Sequence, residues 1–279
     1  MNSKISTIQT TGLKRKTTDK YYTAPNVVET CMQLFKEHVS IQPNDLCIEP
    51  SAGNGAFINT IKSNFNHFKF YDIDPEHSEA IKQDYLTYDY TKISSTFKKI
   101  HVIGNPPFGR QSSLAIKFIK RSAMYCDSIS FILPRSFKKE SLKKHFPLHF
   151  HLVHENDLPS YAFIVDCNAY DVPCVFQIWI KKETERVVPK KLFPEKFCFV
   201  KKTEDHDISF RRVGVYAGEI AKNTQEKSTQ SHYFIKFKMA LTNEMFETLS
   251  NIKYESKNNT CGPKSISKQE LIKEFNMVL

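Results

Sequence analysis

From Asp45 to Leu133, short apolar runs alternate with stretches of helical period, and this limits the fold more than any other feature of the chain. Asp45-Leu-Cys-Ile-Glu49, Phe68-Lys-Phe-Tyr-Asp72, Lys99-Ile-His-Val-Ile103 and Ser128-Ile-Ser-Phe-Ile-Leu133 read as strands. Helices are expected over Ala56–Lys62, near Glu76–Gln83 and over Ser113–Tyr125. An earlier helix starts near Pro25, with Val27, Val28, Cys31, Met32, Leu34 and Phe35 at helical spacing. Such alternation implies a mostly parallel α/β sheet covered on both faces, with ligands at the carboxyl ends of its strands.

After Phe137 the pattern changes. His149–His154, Ala162–Val165 and Pro173–Ile180 look like strands with connections too short for a crossover, so antiparallel pairing is expected. Beyond Lys181, strand-like runs at Phe197–Val200, Ser209–Val215 and Tyr233–Phe237 mix with polar loops, and Met239–Ile252 looks helical. The expected organisation is a polar, basic, disordered tail over 1–18, a main domain over 19–183 and a small C-terminal α+β substrate-recognition region over 184–279.

The net charge of +10 favours polyanionic partners. Seven cysteines lie scattered with no C-x-x-C pair, which argues against a zinc site or disulfide framework and for a reducing, cytosol-like compartment. His145, His149, His151 and His154 lie close in sequence, with no cysteine or carboxylate at ligand spacing, so no metal is expected. Met1–Lys20 lacks the apolar run of a secretory signal, and nothing approaches the about 18 apolar residues of a membrane span. A cytoplasmic protein is expected, or one of the host cytoplasm or nucleus if the source is viral.

Glu49-Pro-Ser-Ala-Gly-Asn-Gly-Ala-Phe57 ends one strand and opens a helix. Gly53 and Gly55 allow a tight turn and close approach of backbone to a ligand. Glu49 suits a cationic or amino-bearing ligand. Asp72, about twenty residues on, is placed to bind ribose hydroxyls, with Asp74 as the alternative. Asp84 stands where an adenine amino group could be bound.

Asn105-Pro106-Pro107-Phe108 follows a strand. The prolines stiffen the loop and keep their carbonyls, Asn105 adds an amide oxygen, and Phe108 a flat face. Together they make a seat for a planar base with an exocyclic amine. Two acceptors on an amine's N–H groups stabilise charge that develops during attack on a methyl sulfonium, and alignment supplies the rest.

These motifs together resemble class I S-adenosylmethionine-dependent amino-methyltransferases that act on adenine N6. Glu49–Phe57 looks like that family's first cofactor motif, Tyr71-Asp-Ile-Asp-Pro75 like its second and Asp84-Tyr-Leu86 like its third. Asn105–Phe108 looks like its catalytic motif in the Phe form. Asp19-Lys-Tyr-Tyr-Thr-Ala-Pro25 is similar to the segment before the first strand of the gamma-type DNA enzymes, an arrangement shared with phage and viral orphans.

The resemblance covers about residues 19–181 and implies a Rossmann-like class I methyltransferase sheet with S-adenosyl-L-methionine as cofactor. It implies cofactor contacts from Tyr22, Thr23, Glu49, Ser51, Gly53, Gly55, Phe57, Asp72, Asp84 and Asn105. Asn105 and Pro106 would accept from the target amine, with Pro107 and Phe108 completing the loop and Phe108 stacking on the base. Arg110, Arg135, Phe137, Arg211, Arg212 and Lys264 are candidate nucleic-acid contacts.

DNA is favoured over RNA by motif order and by the Lys20–Pro25 segment. An RNA adenine-N6 enzyme is the close alternative. A protein glutamine methyltransferase and an inactive nucleic-acid-binding subunit are lesser ones. Recognition sequence and oligomeric state are not legible.

Overall fold

A computed structural model of the chain describes residues 20–90, 93 and 96–279. The tail expected at 1–18 lies outside the described residues. The chain divides into two compact units. One runs up to Leu133 and adds Leu152–Val172 and Phe176–Ile180; the other comprises Pro134–His151, Pro173–Val175 and Lys181–Leu279.

In chain order the elements are β1 (Tyr22–Thr23), α1 (Pro25–His38), β2 (Leu46–Glu49), α2 (Ile58–Lys62), β3 (His67–Asp72), β4 (Ile81–Lys82) and β5 (Ile100–Gly104). There follow α3 (Ser113–Ser122), β6 (Ser128–Pro134), α4 (Glu140–Lys143), β7 (Phe150–Asp157), β8 (Phe163–Val165), β9 (Asn168–Tyr170) and β10 (Cys174–Lys181).

One seven-stranded sheet has the order β4-β3-β2-β5-β6-β10-β7. The pairs from β4 through β6 are parallel. Strands β2, β5 and β6 are buried along their whole length, as strands covered on both faces must be. Strand order reverses between β2 and β5, which opens a crevice at Glu49 and Gly104. This is a Rossmann-like doubly wound α/β sheet. A separate three-stranded antiparallel sheet, β1-β8-β9, joins the start of the described chain to a later hairpin.

Local chemistry explains the helices. Pro25 opens α1, whose Val27, Val28, Cys31, Met32 and Phe35 are buried, and Lys36 and His38 occupy its last turn. Helix α3 buries Ala115, Phe118 and Ile119. It stops before the expected Tyr125, where Ser122 Oγ turns back to the Phe118 carbonyl at 2.8 Å.

The helix expected near Glu76–Gln83 does not form. That segment bends and then supplies β4, whose Ile81 and Lys82 pair with Tyr71 and Asp72 of β3. Of its apolar residues only Ala80 is buried while Ile81 is exposed, so a helix there has no apolar face to bury. The Glu76 amide instead donates to the Gly53 carbonyl at 3.0 Å. Helix α2 begins two residues later than expected, because Ala56 and Phe57 belong to the glycine turn.

The second unit contains β11 (Phe197–Val200), β12 (Ile208–Arg211), β13 (Ile220–Ala221) and β14 (His232–Phe237), in the order β11-β14-β12-β13 and antiparallel throughout. Helices α5 (Asn243–Ser250) and α6 (Lys268–Val278) complete it. Phe197, Ile208, Phe210, Ile235, Phe237, Leu249, Leu271 and Phe275 form its core. The strand expected to reach Val215 ends at Arg211, ahead of Gly214 at φ +104°. Helix α5 is shorter than Met239–Ile252 and is capped by Thr242, whose Oγ1 accepts from the Met245 amide at 3.1 Å. Helix α6 is absent from the sequence reading; Ser267 caps it, and Leu271, Ile272 and Phe275 are its buried stripe.

Candidate active site

The glycine turn after β2 is stitched to the end of β3. The Ala52 amide donates to the Tyr71 carbonyl at 2.9 Å. The Gly53 amide donates to Asp72 Oδ2 at 2.7 Å, and the Asp74 amide to Asp72 Oδ1 at 2.8 Å. Gly53 and Gly55 have φ of +51° and +86°, a conformation that side chains disfavour. A Cβ at Gly55 would come within 2.5 Å of the His77 ring.

Beneath this turn lies a cavity of about 470 Å³. Tyr22, Thr23, Glu49, Ser51 and Gly53 line it, as do Phe57, Asp72, Asp84 and Asn105. Of the residues expected to hold a cofactor, Gly55 alone is outside the lining; it shapes the turn. Asp84 is held by the Leu86 amide, which donates to its Oδ1 at 2.9 Å.

Glu49 is fully buried, and its Oε2 has no hydrogen-bond partner. Burial first, and the neighbouring Asp72 second, push its carboxyl well above the ordinary range. A buried acid of this kind stays neutral unless a cation is brought to it. Gly104 leaves room for it, since a Cβ there would meet Glu49 Cγ at 3.2 Å.

The Asn-Pro-Pro-Phe loop leaves the end of β5. Asn105 Nδ2 donates to the Tyr21 carbonyl at 2.8 Å, which leaves Oδ1 as the acceptor on the other side of the amide. Ser51 Oγ donates to the Asn105 carbonyl at 3.2 Å and ties the loop to the glycine turn. The Leu114 and Ala115 amides both donate to the Phe108 carbonyl, at 3.1 and 3.3 Å, so the loop is also fixed to the start of α3. A small crevice beside it is lined by Tyr21, Asn105, Pro106 and Phe108. Asn105 borders both the crevice and the large cavity.

Lys20 and Glu76, to which the sequence reading gave no role, also line the cavity together with Tyr22 and Asp74. Lys20 Nζ pairs with Glu76 at 2.6 Å and Asp74 at 3.2 Å, and Tyr22 donates its hydroxyl to Glu76 Oε1 at 2.6 Å. Burial, and then that bond, raise the Tyr22 phenol to about 12. Leu114 and Phe118 also line the cavity, and their i, i+4 spacing on the helix after the loop was the available signal.

Arg110 is exposed in the turn that follows the loop. The other candidate nucleic-acid contacts fall in the second unit. There Phe137 is fully buried and presents no face for a base to stack on. Arg211 lies over the Tyr216 ring and Arg212 over Tyr233, at 5.6 and 5.5 Å. The Lys264 carbonyl accepts from the Gly214 amide at 2.9 Å. His149 and His151 bond the carbonyls of Lys182 and Thr184. Among the described residues no group of His, Cys, Asp and Glu is arranged to hold a metal, and no helix is long and apolar enough to cross a membrane.

No protein-family model matches the chain, and no curated protein matches it. Solved structures do. A Pyrococcus horikoshii protein inferred to be an RNA methyltransferase aligns at 16% identity and a TM-score of 0.43, over 62% of this chain and 93% of that one. A Listeria monocytogenes protein inferred to be a class I S-adenosylmethionine-dependent methyltransferase aligns at 14% identity and 0.46, over 64% and 66%. The N-methyltransferase NodS from Bradyrhizobium japonicum, in complex with S-adenosyl-L-homocysteine, aligns at 11% identity and 0.39, over 56% and 87%.

Proposed function

We propose that this chain transfers a methyl group from S-adenosylmethionine to the N6 amino group of adenine in DNA. One observation carries the reading: the large cavity and the small crevice meet at Asn105 and Tyr21, which line both, so the residue that opens the Asn-Pro-Pro-Phe loop stands between a cofactor seat and an acceptor seat.

The cavity fits the cofactor. Its volume is in the range of small-molecule sites. Glu49, buried with an orphaned oxygen, is suited to the cofactor's ammonium group. Asp72 and Asp84 present carboxylates for ribose hydroxyls and the adenine amine, and Phe57 supplies apolar contact. When bound, S-adenosylmethionine supplies a methyl group already activated on a sulfonium.

The chain then has to orient the acceptor. Asn105 Oδ1 and the Pro106 carbonyl accept the two N–H bonds of the target amine and stabilise the positive charge that grows on nitrogen. Phe108 holds the base plane. Duplex DNA requires the adenine to swing out of the stack to reach the crevice. The net charge of +10 suits a polyanionic substrate, and the motif order with the Lys20–Pro25 segment supports DNA as the polymer.

The test is transfer of labelled methyl from S-adenosylmethionine to separate pools of duplex DNA, single-stranded DNA, RNA and protein, with digestion of the labelled pool to nucleosides. N6-methyladenine from a DNA pool is the expected product. Label confined to RNA moves the reading to an RNA enzyme, and label confined to protein overturns it.

A further inference from the structure

The crevice beside the Asn-Pro-Pro-Phe loop has two aromatic walls, and the motif accounts for only one. The second is Tyr21. Its ring lies 6.4 Å from Phe108, centroid to centroid, and 19° from parallel. A planar base between two rings needs about 7 Å, twice an aromatic contact distance of about 3.5 Å. The crevice itself measures about 10 Å³, so seating a base there would require Tyr21 and Phe108 to part. Tyr21 is half-buried, backed by Tyr170 at 5.6 Å and by the edge of Phe163 at 6.1 Å. Both supports belong to the β8-β9 hairpin, which pairs with β1.

Chain geometry separates Tyr21 from its neighbour. Successive side chains in extended backbone point to opposite faces. Tyr22 reaches Glu76 beside the large cavity, whereas Tyr21 meets Phe108 at the crevice while also lining the cavity. The Tyr21 carbonyl also takes the Asn105 amide hydrogen and fixes which way Oδ1 faces.

We propose that Tyr21 is a binding residue for the acceptor base: its ring is the wall of the seat opposite Phe108, and its carbonyl sets the Asn105 amide. The proposal rests on the reading that the acceptor is a nucleobase.

The experiment uses the full chain saturated with S-adenosylhomocysteine. A short single strand carrying 2-aminopurine, whose fluorescence is quenched by stacking on aromatic rings, is titrated against wild type, Tyr21→Phe, Tyr21→Leu and Tyr21→Ala. Wild type and Tyr21→Phe are expected to bind and quench alike. Tyr21→Leu and Tyr21→Ala lose about 10-fold in affinity, the order of one base–aromatic stack, together with part of the quenching. Because Tyr21 also lines the cofactor cavity, calorimetric affinity for S-adenosylhomocysteine is measured in all four and strand affinity is compared at saturation. The proposal is overturned if Tyr21→Leu behaves as wild type, if wild type gives no quenching, or if strand affinity falls only in step with cofactor affinity. Methyl transfer is scored separately. A chain that seats the base through Tyr21 yet methylates no adenine keeps this role and loses the proposed reaction.

Discussion

The backbone N–H of Gly53 donates to Asp72 Oδ2 at 2.7 Å, so one carboxylate both shapes the glycine turn and lines the cavity. Removing it loses two things at once. Asp72→Ala is expected to weaken S-adenosylmethionine binding by about 10-fold or more, the scale of one hydrogen bond to a charged group. Asp72→Asn, which keeps an acceptor for Gly53, should fall between the two. Calorimetry measures this, and wild-type affinity in Asp72→Ala would sink the assignment.

If Glu49 holds the cofactor's ammonium group as proposed, cofactor binding is expected to depend on pH. The Glu49 carboxyl titrates well above its ordinary value of 4.5, so between that value and the raised one the free protein holds it protonated. A cationic ligand pairs with the ionised form, so binding releases a proton in this window and affinity rises with pH until the raised value is passed. The unliganded fold behaves oppositely: a raised carboxyl pKa contributes stability that is present at low pH and lost as pH rises through that value. Glu49→Gln should bind cofactor more weakly and without this pH dependence. Its unliganded form should melt above wild type at alkaline pH. Calorimetry and melting across pH test both, and an unchanged slope in the variant excludes Glu49 as the group responsible.

Asn105→Ala should cut methyl transfer by about 10²-fold or more while cofactor binding stays near wild type, because it removes an acceptor aligned on the target amine. Retention of more than about a tenth of the rate contradicts that role.

Gly55→Ala tests the turn. At φ +86° the added Cβ would lie within 2.5 Å of His77 Cδ2 and 3.0 Å of His77 Cβ, so the ring cannot simply rotate clear. A loss of about 1–3 kcal/mol in denaturant unfolding is expected. An unperturbed midpoint would show that the turn relaxes freely.

His101 is buried between Asp45 and Ser128, with Nε2 at 3.3 Å and Nδ1 at 2.8 Å from their oxygens. Burial lowers its pKa from 6.5 despite the Asp45 carboxylate. The stability this contributes is present above that value and lost as pH falls, since the unfolded chain takes the proton first. His154 and His232 are lowered in the same direction. His101→Gln should therefore flatten part of the acid loss of stability, read as denaturant midpoint against pH.

Much of the first unit was legible because β2, β5 and β6 are buried along their whole length and read as short, largely apolar runs. The glycine turn and the Asn-Pro-Pro-Phe loop announced themselves because each needs unusual backbone. The segment from Glu76 to Gln83 misled: its composition permits a helix, and only the pairing of Ile81 and Lys82 with β3 decides against one. Tyr21 and Lys20 were read only as part of the Asp19–Pro25 segment, and their individual contacts escaped for a related reason. Their partners, Phe108 and Glu76, are far along the chain, and no local pattern marks such a meeting. Helix α6 was missed because its buried stripe is short and set among charged residues.

The sheet that pairs Tyr22 with Ile164 and Thr23 with Phe163 has a consequence for synthesis. Contacts distant in sequence form late, and a chain leaving the ribosome folds from its N-terminus first. The glycine turn, Asp72 and Asp84 are all made early and close to one another. The strand of Tyr22 and Thr23 emerges earlier still, yet waits for a hairpin made much later before it has a neighbour to pair with. The site is thus expected to assemble in two stages on the nascent chain, and a product that stops short of Phe163 would lack the partner that pairs with Tyr22 and Thr23.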